Sequence, residues 1–182
     1  EELAALDAAA AEGPLSEEQA WEQVSLSFEV DPNIGAARLP AFAASYPGHA
    51  MGQWYLGRDL IARGDEAGIE HLNVAARLDD ELLVPAYELI AQHYALTGRR
   101  REALPFEKAA RQRSAVLDSA EEERTTFTSG MALEPNGLAP ATLDALRHAL
   151  ARYPDLEEVY LVRRKVTILP HRPAYVLGIR PK

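Results

Sequence analysis

The chain has 182 residues, a formal net charge of −9, 47% hydrophobic and 26% charged residues, and no cysteine. This length allows one domain or two small ones with a sizeable core, and the lack of cysteine excludes disulfides and thiolate zinc sites. No apolar run approaches the roughly 18 residues of a membrane span, and the acidic start, Glu1 to Ala11, lacks the basic region of a signal peptide.

The charge is unevenly spread. Residues 1–48 hold nine acids and one base, net −8, and residues 49–98 hold eight and three, net −5. Residues 99–127 hold six acids and seven bases, and residues 128–182 hold five and eight, so the C-terminal part is mildly basic. An N-terminal half this acidic would repel phosphate, which argues against nucleic acid as a partner.

Residues 1–15 form an alanine- and glutamate-rich lead-in, a frayed helix or an arm, closed by Gly13-Pro14. Ser16 and Gln19 stand at capping-box spacing and open a helix predicted to reach about Phe28. Asp31-Pro32-Asn33 breaks it, and a second helix runs to Tyr46, stopped by Pro47-Gly48. A second hairpin follows, with one helix from about His49 to Arg63, a turn at Gly64-Asp65, and another from about Glu66 to Leu78. A third repeats this from Pro85 to Thr97, turns at Gly98, and continues from about Arg101 through the charged run Glu121 to Arg124. Its length suits a helix that covers the end of a stack.

Residues 128–139 break the pattern with Glu134-Pro135 and the turn signal Asn136-Gly137. Pro140 to Tyr153 then reads as a short amphipathic helix with Leu143, Leu146 and Leu150 on one stripe. Val159 to Leu169 alternates at period two, with Tyr160, Val162, Val166 and Ile168 on one face. After a turn at Pro170 to Pro173, residues 174–179 return with Tyr175, Leu177 and Ile179 on one face. Two strands and a helix are marginal alone, so this unit must dock, recruit another strand or dimerise.

At an offset of 34 residues the middle of the chain matches itself. Leu56 falls on Ile90, Gly57 on Ala91, Leu60 on Tyr94, Gly64 on Gly98, Leu72 on Phe106, Ala75 on Ala109 and Ala76 on Ala110. That period, with small, large apolar and turn-glycine positions in register, resembles a tetratricopeptide repeat over residues 16–117. The match is weaker in the first hairpin, where Val30 takes the turn-glycine register, and Ile69 stands where the family usually has a small residue.

The resemblance implies a ligand groove lined by the first helix of each hairpin. Its positions here are Met51, Trp54, Arg58 and Ile61 in the second hairpin and Glu88, Gln92 and Ala95 in the third, with Ala20 and Val24 in the first. Trp54 and Arg58 are the expected anchors, since these residue types dominate interface energetics; the plainer reading has Trp54 packing between hairpins. The family's Lys/Asn clamp for C-terminal carboxylates is replaced by Trp54, Arg58, Glu88 and Gln92, which argues against chaperone-tail binding.

Catalytic patterns are missing. The five histidines, His49, His71, His93, His148 and His171, form no H-x-x-x-H or H-E-x-x-H pair, and His93 reads as a partly buried helix residue. There is no G-x-S-x-G and no glycine-rich phosphate loop. Asp79-Asp80-Glu81 reads as a solvated helix end. The basic runs Arg99-Arg100-Arg101 and Arg163-Arg164-Lys165 read as solvated edges, the second protecting an edge strand from unwanted pairing or selecting an acidic partner strand.

A second resemblance rests on Phe42-Ala43-Ala44-Ser45-Tyr46-Pro47-Gly48-His49-Ala50, on Leu56-Gly57 and on Arg63-Gly64-Asp65-Glu66-Ala67-Gly68-Ile69. It continues in Tyr160-Leu161-Val162-Arg163-Arg164-Lys165 and in Arg172-Pro173-Ala174-Tyr175-Val176-Leu177. These runs are similar to the region after the catalytic domain in bacterial membrane-bound zinc metallopeptidases of the HtpX and CAAX-protease type. The catalytic H-E-x-x-H is absent, so no protease residue carries over. The resemblance implies an accessory module of a longer protein, which a start without Met also suggests, cytoplasmic and tethered to the inner membrane through a preceding region.

The expected organisation is a mainly α fold with a small α+β end: a lead-in arm over 1–15, about three tetratricopeptide-like hairpins over 16–127, and an α–β–β module over 128–182. The expected function is a non-catalytic scaffold for a protein or peptide partner, with no cofactor, no metal and no membrane insertion of this segment. The alternative is an assembly module that forms a homodimer through the C-terminal β-hairpin.

Overall fold

A computed structural model describes residues 1–182. Seven helices, a short strand, an eighth helix and two longer strands follow one another, and the three strands form one antiparallel sheet: a mainly α chain with a small α+β end. The chain divides into two compact units, residues 1–114 and residues 115–182.

The first unit is a succession of packed hairpins. Helices α2 (Glu17–Val30), α4 (Ala50–Ala62) and α6 (Leu83–Leu96) begin at intervals of 33 residues, and each is followed by its partner, α3 (Pro32–Ser45), α5 (Ala67–Leu78) or α7 (Arg100–Thr125). The Ser16–Gln19 capping box forms as the spacing predicts, Ser16 Oγ accepting from Gln19 N and Gln19 Oε1 from Ser16 N. Gly64 (φ 78°) and Gly98 (φ 77°) take up the left-handed conformation that ends α4 and α6. The first hairpin turns differently. Asp31 alone links its helices, extended at φ −155°, its carboxylate accepting from Asn33 N at 2.8 Å while Pro32 occupies the first helical position. The lead-in residues form helix α1 (Glu2–Glu12), held through Asp7 to Gln23 and Arg38, each at 2.7 Å.

Two apolar clusters form the core of this unit. Val24, Leu39, Phe42, Ala43 and Leu56 join α2, α3 and α4, with Trp21, Phe28, Tyr46 and Tyr55 around them. Ile61, Leu72, Ala76, Ala86 and Ile90 join α4, α5 and α6, with Tyr87, Tyr94 and Phe106 against them. Val24 is therefore core, and Ala20 is half-buried against the first cluster.

In the second unit the structure corrects the sequence reading at three points. Leu133–Pro135, expected as a break, forms strand β1. Helix α8 is Pro140–Leu150, and strand β2 is Leu156–Arg164, so Val166 and Ile168 lie outside the strand assigned to them. With β3 (Ala174–Pro181) the sheet order is β1-β2-β3, which makes β2 central. The basic run therefore protects no edge: Arg163 pairs with Glu134 of β1 at 2.8 Å, and Arg164 donates to Thr126 O. Of the three ways the hairpin could complete itself, the chain recruits a third strand of its own.

Beyond Lys165, which still donates to Ala132 O, the chain leaves the sheet where the end of α7 binds Thr167, Ile168 and Leu169. Glu123 accepts from the backbone N–H groups of Thr167 (2.8 Å) and Ile168 (2.9 Å) and from the Thr167 hydroxyl (2.7 Å). These bonds, with Ile168 N–H the largest influence, hold the Glu123 carboxyl down to about 2, against an ordinary 4.5. A carboxyl lowered on folding contributes stability that is complete above its unfolded value and is lost as pH falls toward its folded one. The second unit should therefore weaken between about pH 4.5 and 2, and Glu123→Gln should flatten that dependence. Unfolding of the two chains across this window checks it; equal acid sensitivity would remove Glu123 from the explanation.

Candidate functional site

The expected groove residues divide between core and surface. Ile61 is buried, and Trp54 is half-buried against the cluster of Ile61, Leu72, Ala76, Ala86 and Ile90. Trp54 thus packs between successive hairpins, and a Trp54→Ala change would alter the core together with any surface Trp54 offers. Met51 is half-buried. Arg58 is exposed, with its guanidinium carbon 4.6 Å from the centre of the Tyr55 ring, a cation–π contact. It lines a recess of about 430 Å³ with Phe28, Asn33, Ala36, Tyr55 and Asp59, which Trp54 does not line. The structure does not bring Trp54 and Arg58 together in one pocket.

The third hairpin does assemble its expected residues. Glu88, Gln92 and Ala95 follow one another at helical spacing on α6, and with Ala91 they line a recess of about 320 Å³. Its other wall is α7, through Glu107, Ala110 and Arg111. Ala91 and Ala110 are buried, so the floor is made of small side chains and the rim is polar. Arg111 reaches Glu107 Oε2 at 3.3 Å, an exposed pair that contributes little to stability. Glu88 makes no ion pair. The α7 wall was missed because the family resemblance draws attention to first helices alone. The available signal was Ala110, matched to Ala76 in the 34-residue register, with polar residues at the helical spacing around it.

A second polar cluster sits where successive turns meet. Arg99 forms a two-pronged bond to Glu102, at 2.8 and 2.7 Å, bonds Glu66 with another nitrogen, and lies 4.6 Å from the Tyr94 ring centre. Arg99 holds the carboxyls of both Glu66 and Glu102 below the ordinary glutamate range, and these partners raise its own pKa further. His93 is buried beside the cluster, its Nε2 3.7 Å from Glu66 Oε1 and without a hydrogen bond. Geometry therefore makes Arg99 a tie between the Gly64 and Gly98 turns. His93 faces Glu66, and Glu88 lies in the separate α6–α7 recess.

Elsewhere, His71 Nδ1 is 2.7 Å from Gln53 Oε1, and Asp80 pairs with Arg113 at 2.9 Å. No group of three or more His, Asp or Glu side chains is placed to hold a metal ion. No helix is long and apolar enough to cross a membrane. No family model, curated protein or solved structure matches this chain.

Proposed function

We propose that the helical hairpins act as a non-catalytic interaction scaffold whose α6–α7 recess receives a basic side chain from a partner protein or peptide. The observation that supports this reading is the recess itself, with an alanine floor, the unpaired carboxylate of Glu88 and the amide of Gln92 at its rim. Its setting adds long-range attraction: residues 1–114 hold nineteen acids and ten bases, net −9. A recess built on packed helices is already formed, so little ordering entropy opposes occupation.

The finer parts of the reading rest on sequence likeness. The regular spacing of first helices and the two left-handed glycines support a tetratricopeptide-type stack. A role beside the catalytic domain of a membrane metallopeptidase, in the cytoplasm and tethered to the inner membrane, extends the likeness of residues 42–69 and 160–177.

The test is a labelled peptide panel varied in charge, read by fluorescence anisotropy at two salt concentrations. Lysine- or arginine-bearing peptides should bind, more weakly at high salt. Glu88→Lys should weaken binding about tenfold, the effect of replacing an attraction by a repulsion at an exposed rim position. Asp144→Lys, the same charge change in the second unit, should leave it unchanged. Preference for acidic peptides, or full affinity in Glu88→Lys, would refute the assignment.

A further inference from the structure

The sheet of the second unit ends on a strand that nothing covers. In the order β1-β2-β3, β1 is three residues long and ends in Pro135, whereas β3 spans eight residues. The direction of its backbone groups follows from two bonds. Lys182 N donates to Asp155 O, so even-numbered residues of β3 turn their N–H and C=O toward β2. Lys165 N donates to Ala132 O, so odd-numbered residues of β2 turn toward β1 and even-numbered ones toward β3, which gives the same phase. The groups of Tyr175, Leu177 and Ile179 therefore point away from the sheet. On the same outward phase, Pro173 and Pro181 have no N–H to offer.

We propose that this edge pairs with the same edge of a second copy, in an antiparallel ladder centred on Leu177. Leu177 then stands opposite the partner's Leu177, and Tyr175 opposite the partner's Ile179. Each of these facing pairs exchanges two backbone bonds, and the prolines end the ladder on both sides. The bonding window is thus symmetric about Leu177, which is the requirement of a two-fold interface.

The side chains favour a copy over a foreign strand. Tyr175, Leu177 and Ile179 share one face and are 43%, 48% and 53% exposed. Pairing places aromatic against β-branched and leucine against leucine, combinations that stabilise cross-strand neighbours. Leu177 also lines an apolar groove of about 490 Å³ with Val159, Leu161 and the Leu143, Leu146 and Leu150 stripe of α8, so pairing would join two such grooves into one layer. No charge clashes within the ladder. Arg180, the one charged residue of β3, is engaged by Glu157 and Glu158 and falls opposite the partner's Ala174. With that charge satisfied, the edge has nothing to select an acidic or a basic peptide. Between Tyr175 and Ile179 it also lacks the lysines that normally guard an edge, and the one register shift of the β2–β3 ladder lies beyond this stretch, between Leu156 and Glu158.

The chain lacks cysteine, so single-cysteine variants of the full protein report the register cleanly. Facing residues in this ladder lie about 5.5 Å apart at Cα, within disulfide range. Leu177→Cys should cross-link to itself under mild oxidation. Tyr175→Cys or Ile179→Cys alone should not, since each would lie about 13 Å from its copy along the strands, but a mixture of the two should. By sedimentation equilibrium the wild-type chain should approach twice its 20.0 kDa mass. Leu177→Pro removes only an outward N–H and should give a folded monomer by circular dichroism. Should that variant unfold, Leu177→Lys, which sets two ammonium groups face to face, should give the monomer instead. A wild-type chain that is monomeric at every concentration overturns the proposal, as does equal cross-linking at positions 175, 177 and 179. Protection of the Leu177 amide only when an extended peptide is added would assign the edge to a foreign strand, and would overturn it too.

Discussion

Replacing Gly68 with alanine is expected to destabilise the first unit by about 2 kcal/mol, because the added methyl would meet backbone that cannot turn aside. A Cβ at this position would fall 2.5 Å from Gly57 O and 2.9 and 3.0 Å from Ile61 Cγ1 and N. The oxygen and nitrogen belong to the backbone of α4, so no rotamer change can clear them and the two helices must separate. Overpacking of this kind costs about 1–3 kcal/mol or more. Separation would also loosen Leu72, which is fully buried in the same contact. Alanine's better helix propensity returns only about 1 kcal/mol.

Gly57→Ala meets the reciprocal obstacle, Gly68 O and Leu72 N both at 2.9 Å. The double variant should lose less than the sum of the singles, because one separation of the helices relieves both clashes. Gly48, which has open space around it, is the control, and alanine there should change stability little. Urea unfolding of the four chains decides the matter. A loss below about 0.5 kcal/mol for Gly68→Ala, within the range of ordinary surface substitutions, would show that α4 and α5 are not held at this distance.

This contact also shows how far the fold could be read from the chain. The third hairpin keeps small residues at both expected positions, Ala91 and Ala103, and both are buried. In the second hairpin Ile69 occupies the family's small position, but Gly68, one residue earlier, makes the close approach and Ile69 turns to the Leu72 cluster. A repeat pattern records which positions must be small; it does not record a shift of one residue, because neighbouring positions on a helix can exchange that role.

Hairpin turns were legible because a left-handed glycine, a capping serine or an Asp-Pro pair fixes local backbone angles whatever surrounds it. Strand β1 was not legible: three residues ending in proline have no periodicity, and only pairing with β2 makes them a strand. The end of β2 was misplaced for the converse reason. Val166 and Ile168 continue the alternation, yet Glu123, more than forty residues away in sequence, binds the backbone there. The candidate site was half legible, since Glu88 and Gln92 follow from the first-helix rule, while on α7 the repeat register marks Ala110 alone and the roles of Glu107 and Arg111 follow from packing.

Replacing Arg124 with methionine is expected to cost the second unit about 2–4 kcal/mol. The residue stands beside Glu123 at the end of α7, and between them they bind both polarities of one loop. Glu123 takes the N–H groups of Thr167 and Ile168. The Arg124 guanidinium reaches the carbonyls of Ile168, Leu169 and Arg172 at 3.1, 2.9 and 2.9 Å, and that of Ala120 in its own helix at 2.8 Å. Leu169 needs this support, because its φ of 52° is left-handed in a residue with a Cβ, a conformation that costs about 1–2 kcal/mol. Methionine fills much of the same volume but leaves three loop carbonyls without their charged donor, and bonds to charged groups are worth about 1.5–3 kcal/mol each before losses are shared.

Amide exchange is the suitable measurement, because a chain of two units need not unfold in one step. A loss of 2 kcal/mol corresponds to about thirtyfold faster exchange through opening of the unit, which should appear in β2 and β3 and be absent from α4 and α5. Arg124→Lys should recover part of the loss, since an ammonium cannot span the three carbonyls as a planar fork does. Leu169→Gly in the Arg124→Met background should recover another part by removing the backbone strain. Unchanged exchange in Arg124→Met would mean that the loop is held by Glu123 alone, and the acid sensitivity of the unit would then have to be correspondingly steeper.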